Sequence, residues 1–100
     1  MSEAIIEKET LKQTVKPPPM YQVLMVNDDY TTMEFVTECL MMVFSKSQEQ
    51  AFQLMLEVHE KGKAVVGVYN KEIAETKQYI AMQKAREEEH PLILEISPCE

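Results

Sequence analysis

Three short segments rich in strand-forming side chains set the outline of the fold. They cover residues 20–26 (MYQVLMV), 63–69 (KAVVGVY) and 92–96 (LILEI). Two segments with helical periodicity separate the first from the second, and one separates the second from the third, which gives the order β-α-α-β-α-β. Strands this short need pairing and a covering layer of helices. We therefore predict an α+β fold, a compact single domain with a three-stranded sheet and helices packed on one face.

Short polar motifs mark the ends of the predicted helices. Helix N-caps are predicted at Thr31, Ser47 and Asn70, and the first two have Glu or Gln three residues later, as in a capping box. Gly62 is expected to end the second helix in the left-handed conformation. His90, which precedes a proline, is expected to end the third helix. Gly67, inside the second predicted strand, indicates a bulge or a close approach of backbone.

The N-terminal segment differs in composition from the rest of the chain. Residues 1–16 contain no aromatic residue, and their apolar side chains are too sparse to form a core. A run of three prolines at 17–19 then disfavours helix and favours an extended spacer. We predict a flexible N-terminal arm over residues 1–16 and one folded domain over residues 17–100.

Charge and hydropathy exclude several classes of protein. The net charge is −7, which disfavours a nucleic-acid binder. The longest unbroken apolar run, residues 39–44, is far shorter than the ~20 residues that a membrane span requires. Two cysteines without a C-x-x-C motif suit a reducing compartment, so we expect a cytoplasmic protein.

The polar residues after the first strand are the strongest candidates for a functional site. Asn27, Asp28 and Asp29 follow the strand directly, and His59 lies near the end of the second helix. Asn and Asp also build turns, so a purely structural role has equal support from the residues alone. A Gly-rich phosphate loop, a nucleophile elbow and a zincin motif are all absent from the sequence. We expect no catalysis, no cofactor and no metal.

A set of motifs with nearly constant spacing makes the chain similar to a known family. The motifs are KPPPMY (16–21), VNDDYT (26–31), MEFV (33–36), Met55, VH (58–59), GKA (62–64), AETK (74–77) and HPL (90–92). Together they resemble the ClpS adaptor family. Members of that family are bacterial adaptors of the N-end rule, which deliver proteins with a destabilising N-terminal residue to the ClpA or ClpC unfoldase of the ClpP protease.

The resemblance implies a binding site for an N-degron, the exposed first residue of a substrate. It implies that Asn27, Asp28 and His59 bind the α-amino group. It further implies an apolar pocket for the first side chain (Leu, Phe, Tyr or Trp), with Met33 as a gatekeeper that excludes β-branched residues. The residues implied for that pocket are Met25, Asp29, Thr31, Met33, Val36, Met55, Val58 and Leu92.

The resemblance also implies a surface for the unfoldase. The N-terminal domain of ClpA or ClpC would dock at the start of the third helix, on Glu72, Glu75, Thr76 and Lys77. The arm before the prolines would engage the unfoldase during delivery. The chain departs from the family at Thr32, where many relatives have proline, and both residues suit the start of a helix.

Two other functions remain open from the sequence. One is an acidic protein–protein interaction module of similar fold, like the C-terminal domain of the ribosomal stalk protein, without amine recognition. The other is an enzyme that uses Asp28, Asp29 and His59 as an acid–base or metal cluster.

Overall fold

The structure, a computed structural model, describes residues 17–99. The predicted arm over residues 1–16 therefore lies outside the described residues. The elements follow the predicted order: β1 (Met20–Val26), α1 (Met33–Met42), α2 (Gln48–Lys61), β2 (Lys63–Asn70), α3 (Lys71–Glu87) and β3 (Ile93–Pro98). The α+β class and the three-stranded sheet are confirmed. The last strand begins and ends slightly later than predicted.

β1 is the central strand of the sheet, and it pairs antiparallel with β2 on one side and β3 on the other. Val26 at its C-terminal end is paired on both sides, with Lys63 and Ile93. The register against β2 shifts between Val23 and Leu24, where a bulge interrupts the ladder. The strand that leads into the candidate site is thus held on both edges to its last residue.

The core lies between one face of the sheet and the three helices. Alternate strand residues face it, because successive side chains of a strand point to opposite faces. The α3 residues Ala74, Ala81 and Ala85 are fully buried. Their small side chains allow α3 to lie close across all three strands. Among residues 17–99 the fully buried side chains are all apolar.

Gly67 lies beside the bulge in the β1–β2 ladder, one of the two features that the sequence indicates at this position. A Cβ at this position would overlap the ring of Tyr69, which folds back over the strand. A side chain at position 67 would therefore require the Tyr69 ring to move.

Three of the five predicted helix ends agree with the structure. The third helix ends at Glu87, three residues before His90. Ser47 and its partner form the complete capping box, and Asn70 caps α3 by accepting from the Ile73 amide at 2.9 Å. Gly62 ends α2 with a φ of 90°. The predicted cap of α1 is wrong by one residue, because Thr32, not Thr31, accepts from the Phe35 amide, at 3.1 Å.

None of the helices in residues 17–99 has both the length and the apolar character needed to cross a membrane.

Candidate functional site

A cavity opens where β1 ends and the facing sides of α1 and α2 meet. Its volume is about 210 Å³. Three parts of the chain contribute to it: the turn after β1, the first part of α1 and the second half of α2. The lining residues are Asn27, Asp28, Asp29, Thr31, Met33, Val36, Met55, Val58 and His59. The residues implied for amine binding therefore share one cavity.

A backbone hydrogen bond explains why Asn27 and His59 lie together. The Asn27 amide donates to the Gly62 carbonyl at 2.9 Å. Gly62 in turn donates to the Val58 carbonyl at 2.9 Å, which closes the C-terminus of α2. This link fixes the end of β1 against the last turn of α2, where His59 lies. Sequence spacing alone cannot show this contact.

Asp28 holds the turn that leads into α1. Its Oδ1 accepts from the backbone amides of Tyr30 and Thr31, at 2.8 and 2.7 Å. Its Oδ2 accepts from the Thr31 hydroxyl at 2.7 Å. A carboxylate has about four acceptor positions, so one position, on Oδ2, remains for a ligand. The structural role of Asp28 and a role in binding are compatible.

The charge of Asp28 is stabilised by its surroundings. Burial raises the pKa of the carboxyl, but the hydrogen bonds from Thr31 and Tyr30, together with the charge of His90, outweigh burial and leave the pKa below its usual value of 3.8. Asp28 therefore carries a full negative charge at neutral and mildly acidic pH. The rim of the cavity is suited to a cation.

The interior of the cavity is apolar. Val36, Met55 and Val58 are buried and form its walls, whereas Met33 is 56% exposed and lies at the mouth. A cavity of about 150 Å³ in another protein holds a benzene molecule. A volume of about 210 Å³ therefore suits one large apolar side chain. The arrangement combines a polar rim with an apolar interior.

Two residues implied for the pocket are not among those that line the cavity. These two residues, Met25 and Leu92, are fully buried in the core. Met25 faces the helices from the central strand, and Leu92 directly precedes β3. The remaining residues implied for the pocket all line it.

The residues implied for unfoldase docking lie in the first turns of α3. Glu72, Glu75 and Thr76 are exposed, and the Thr76 hydroxyl donates to the Glu72 carbonyl at 2.9 Å. Lys77 is half-buried: its Nζ donates to the Val43 carbonyl at 2.8 Å and lies 5.4 Å from the centroid of the Tyr69 ring. Lys77 therefore connects α3 to the end of α1, in addition to any role in docking.

The enzyme alternative would require an acid–base or metal cluster at this site. Within residues 17–99 no group of three or more His, Cys, Asp or Glu side chains is arranged to hold a metal ion. Cys39 is buried, and burial raises the pKa of its thiol to about 11, so it stays protonated and unreactive.

A second depression lies beside the cavity and was not predicted from the sequence. A groove of about 600 Å³ runs between the outer sides of α1 and α2. The high methionine content, eight in the chain, was the available signal. The lining residues are Met33, Glu34, Thr37, Glu38, Met41, Met42, Phe52 and Met55.

Comparison with known proteins gives a consistent result. Residues 16–95 match the family model of the ATP-dependent Clp protease adaptor protein ClpS. The chain is 50% identical over 93 residues to the ClpS adapter of Sodalis glossinidius (93% of this chain, 88% of that protein). It is 54% identical over 86 residues to that of Salmonella arizonae (86% and 81%). The solved structure of Agrobacterium tumefaciens ClpS2 bound to L-phenylalaninamide superposes with a TM-score of 0.80 at 40% identity, and covers 83% of this chain and 100% of that chain.

Proposed function

The chain belongs to the ClpS family of Clp protease adaptors, and from this premise we propose that its cavity binds the free α-amino group and the first side chain of N-degron substrates. As a member of this family it is an N-end rule adaptor and not an enzyme. The proposal concerns which residues recognise the substrate. An interaction module without amine recognition would need Asp28 for the turn, but would not need Asn27 and His59 beside it at an apolar cavity.

The position of three acceptors at one rim is the observation that carries the proposal. An α-ammonium group has three donors. The Asn27 amide oxygen, the free position on Asp28 Oδ2 and a ring nitrogen of His59 together match that number. Because Asp28 is ionised, it also supplies the opposite charge. The relative bound to L-phenylalaninamide, a ligand with a free amine and an aromatic side chain, supports the same arrangement here.

Neither half of the ligand is sufficient for tight binding. Each charge-assisted hydrogen bond contributes about 1.5–3 kcal/mol and burial of a Leu or Phe side chain about 1.5–3 kcal/mol, and the cost of immobilising the ligand must be subtracted from their sum. A micromolar complex requires about 8 kcal/mol. Amine and side chain must therefore bind together, which excludes internal Leu or Phe residues of other proteins.

Met33 would determine which side chains enter. Its side chain lies at the mouth of the cavity, above walls formed by Val36 and Met55. A first residue that is branched at Cβ carries two heavy atoms on that carbon, close to the substrate backbone and to Met33. Leu, Phe, Tyr and Trp carry only one heavy atom on Cβ, so they leave room for Met33. We expect the cavity to accept these four and reject Val and Ile.

Delivery completes the proposed function. Membership in the family implies a Clp protease as partner. We propose that Glu72, Glu75, Thr76 and Lys77 dock on the N-terminal domain of ClpA or ClpC in the cytoplasm, and that residues 1–16 engage the unfoldase. The docking residues lie on α3, away from the cavity lining, so one adaptor can hold substrate and unfoldase together.

Titration with matched peptides tests the cavity assignment. Two peptides that begin with Phe and differ only in acetylation of the N-terminus should bind with affinities at least about tenfold apart, since acetylation removes the charged donors. His59→Ala should weaken binding of the free peptide, and the neighbouring Glu60→Ala, which lies outside the cavity, should not. Equal affinities for both peptides would refute amine recognition.

A further inference from the structure

We propose that the groove between α1 and α2 binds the substrate segment that follows the first residue, and that it takes an apolar side chain from within positions 2–5. This inference rests on the proposed function of the cavity and extends it. The family's established activity is recognition of the substrate's first residue, whereas the groove would bind the residues that follow it.

The groove is continuous with the cavity. Met33 and Met55 line both depressions, so they form a shared wall. A substrate held by its amine at the rim can leave the cavity across this wall. A peptide chain that passes Met33 enters the groove directly.

The dimensions of the groove fit a short extended peptide. It follows α1 from Met33 to Met42, a helical length of about 13 Å at 1.5 Å per residue. An extended chain advances about 3.3 Å per residue, so about four residues span this length. These are positions 2–5 of a substrate whose first residue occupies the cavity.

The lining of the groove selects the chemistry of its occupant. Met42 and Phe52 are 64% and 49% exposed, an unfavourable state for side chains of this size unless a partner covers them. Methionine adapts to varied apolar partners because its side chain is flexible and polarisable. The charged residues of the lining, Glu34 and Glu38, are both acidic. The groove therefore suits an apolar side chain near Lys or Arg and opposes Asp or Glu.

A peptide scan measured by fluorescence anisotropy tests the proposal. The parent peptide is Phe followed by Ala residues, and single Leu substitutions are placed at positions 2, 3, 4 and 5. At one or more positions Leu should tighten binding about three- to tenfold, the range that partial burial of one Leu supports. Glu at the same position should weaken binding relative to Ala.

Groove variants separate this proposal from the cavity assignment. Met42→Gln combined with Phe52→Gln should abolish the gain from Leu and leave the affinity for L-phenylalaninamide unchanged, since neither residue lines the cavity. Tyr79→Gln, a 67% exposed position on α3, is the matched control and should keep the gain.

Several outcomes would overturn the proposal. One is the absence of a gain from Leu at every position while L-phenylalaninamide still binds, which leaves the cavity assignment intact. Persistence of the gain in the double variant is another. Sedimentation that shows a dimer of this chain lost in the double variant would assign the groove to a second copy instead. Failure of wild-type protein to bind L-phenylalaninamide would refute the cavity assignment and this inference together.

Discussion

Replacing Asp28 by Asn should separate the structural role of this residue from its role in binding. The amide oxygen of Asn can still accept from the Tyr30 and Thr31 amides, which Asp28 Oδ1 contacts at 2.8 and 2.7 Å. The Thr31 hydroxyl can rotate and accept from the new amide nitrogen. Since Asn is a good turn residue, we expect the free energy of unfolding to fall by only about 0.5 kcal/mol.

Binding should suffer more than stability in the same variant. The ligand's ammonium would lose a charge-assisted bond of about 1.5–3 kcal/mol and would face an NH₂ donor at the position of Oδ2. A net loss of about 1.5 kcal/mol corresponds to roughly tenfold weaker binding. Asp28→Ala removes all three acceptor contacts of the turn, so it should weaken binding at least as much and lower stability by about 1–2 kcal/mol.

Two measurements on the same samples check these values: urea denaturation for stability, and anisotropy with a Phe-led peptide for affinity. Because the pKa of Asp28 is lowered in the folded state, its stabilising contribution is present above the usual pKa of 3.8 and is lost as the pH falls through the folded value. The stability difference between wild type and Asp28→Asn should therefore shrink below pH 4. If Asp28→Asn bound the peptide as tightly as wild type, Asp28 would be a turn residue only.

Three further changes probe other parts of the molecule. Met33→Ala should admit peptides that begin with Val or Ile, measured as a gain of about tenfold relative to wild type; unchanged selectivity would place the gatekeeper elsewhere. Gly62→Ala should lower the free energy of unfolding by about 1 kcal/mol, because φ is 90° at this position. It should also weaken amine binding, because the Gly62 carbonyl accepts the hydrogen bond from the Asn27 amide. A change in stability without any change in affinity would show that this hydrogen bond does not position the rim. Glu75→Lys should reduce binding to the unfoldase N-terminal domain in a pull-down and leave the affinity for a Phe-led peptide unchanged. A loss of peptide affinity would contradict the separation of the docking surface on α3 from the cavity.

Local sequence signals predicted most of the fold because they act within a few residues. The capping box at Ser47 and the left-handed Gly62 involve only neighbouring residues, and both are confirmed. The cap of α1 was predicted at Thr31 instead of Thr32 for a physical reason. Two adjacent threonines offer the same hydroxyl, and the choice depends on Asp28, which binds the hydroxyl of Thr31.

The candidate site was predictable only in part, because it depends on contacts distant in sequence. The resemblance implied that Asn27 and His59 bind the amine, but their proximity depends on the hydrogen bond from Asn27 to Gly62. Periodicity marks Met25 and Leu92 as apolar without deciding whether they face the core or the cavity. The groove was missed because the exposure of Met42 and Phe52 follows from how α1 and α2 pack.

The double pairing of β1 has a consequence for the speed of recognition. Val26 belongs to the central strand, which is paired on both sides. The next backbone amide, that of Asn27, donates to the Gly62 carbonyl. The proposed amine-binding rim is therefore pre-organised, and this part of the adaptor loses little additional chain entropy when a substrate binds. We expect the Asn27 amide to exchange its hydrogen for deuterium almost as slowly as the middle of the sheet, and association rates to be nearly independent of which accepted side chain leads the substrate.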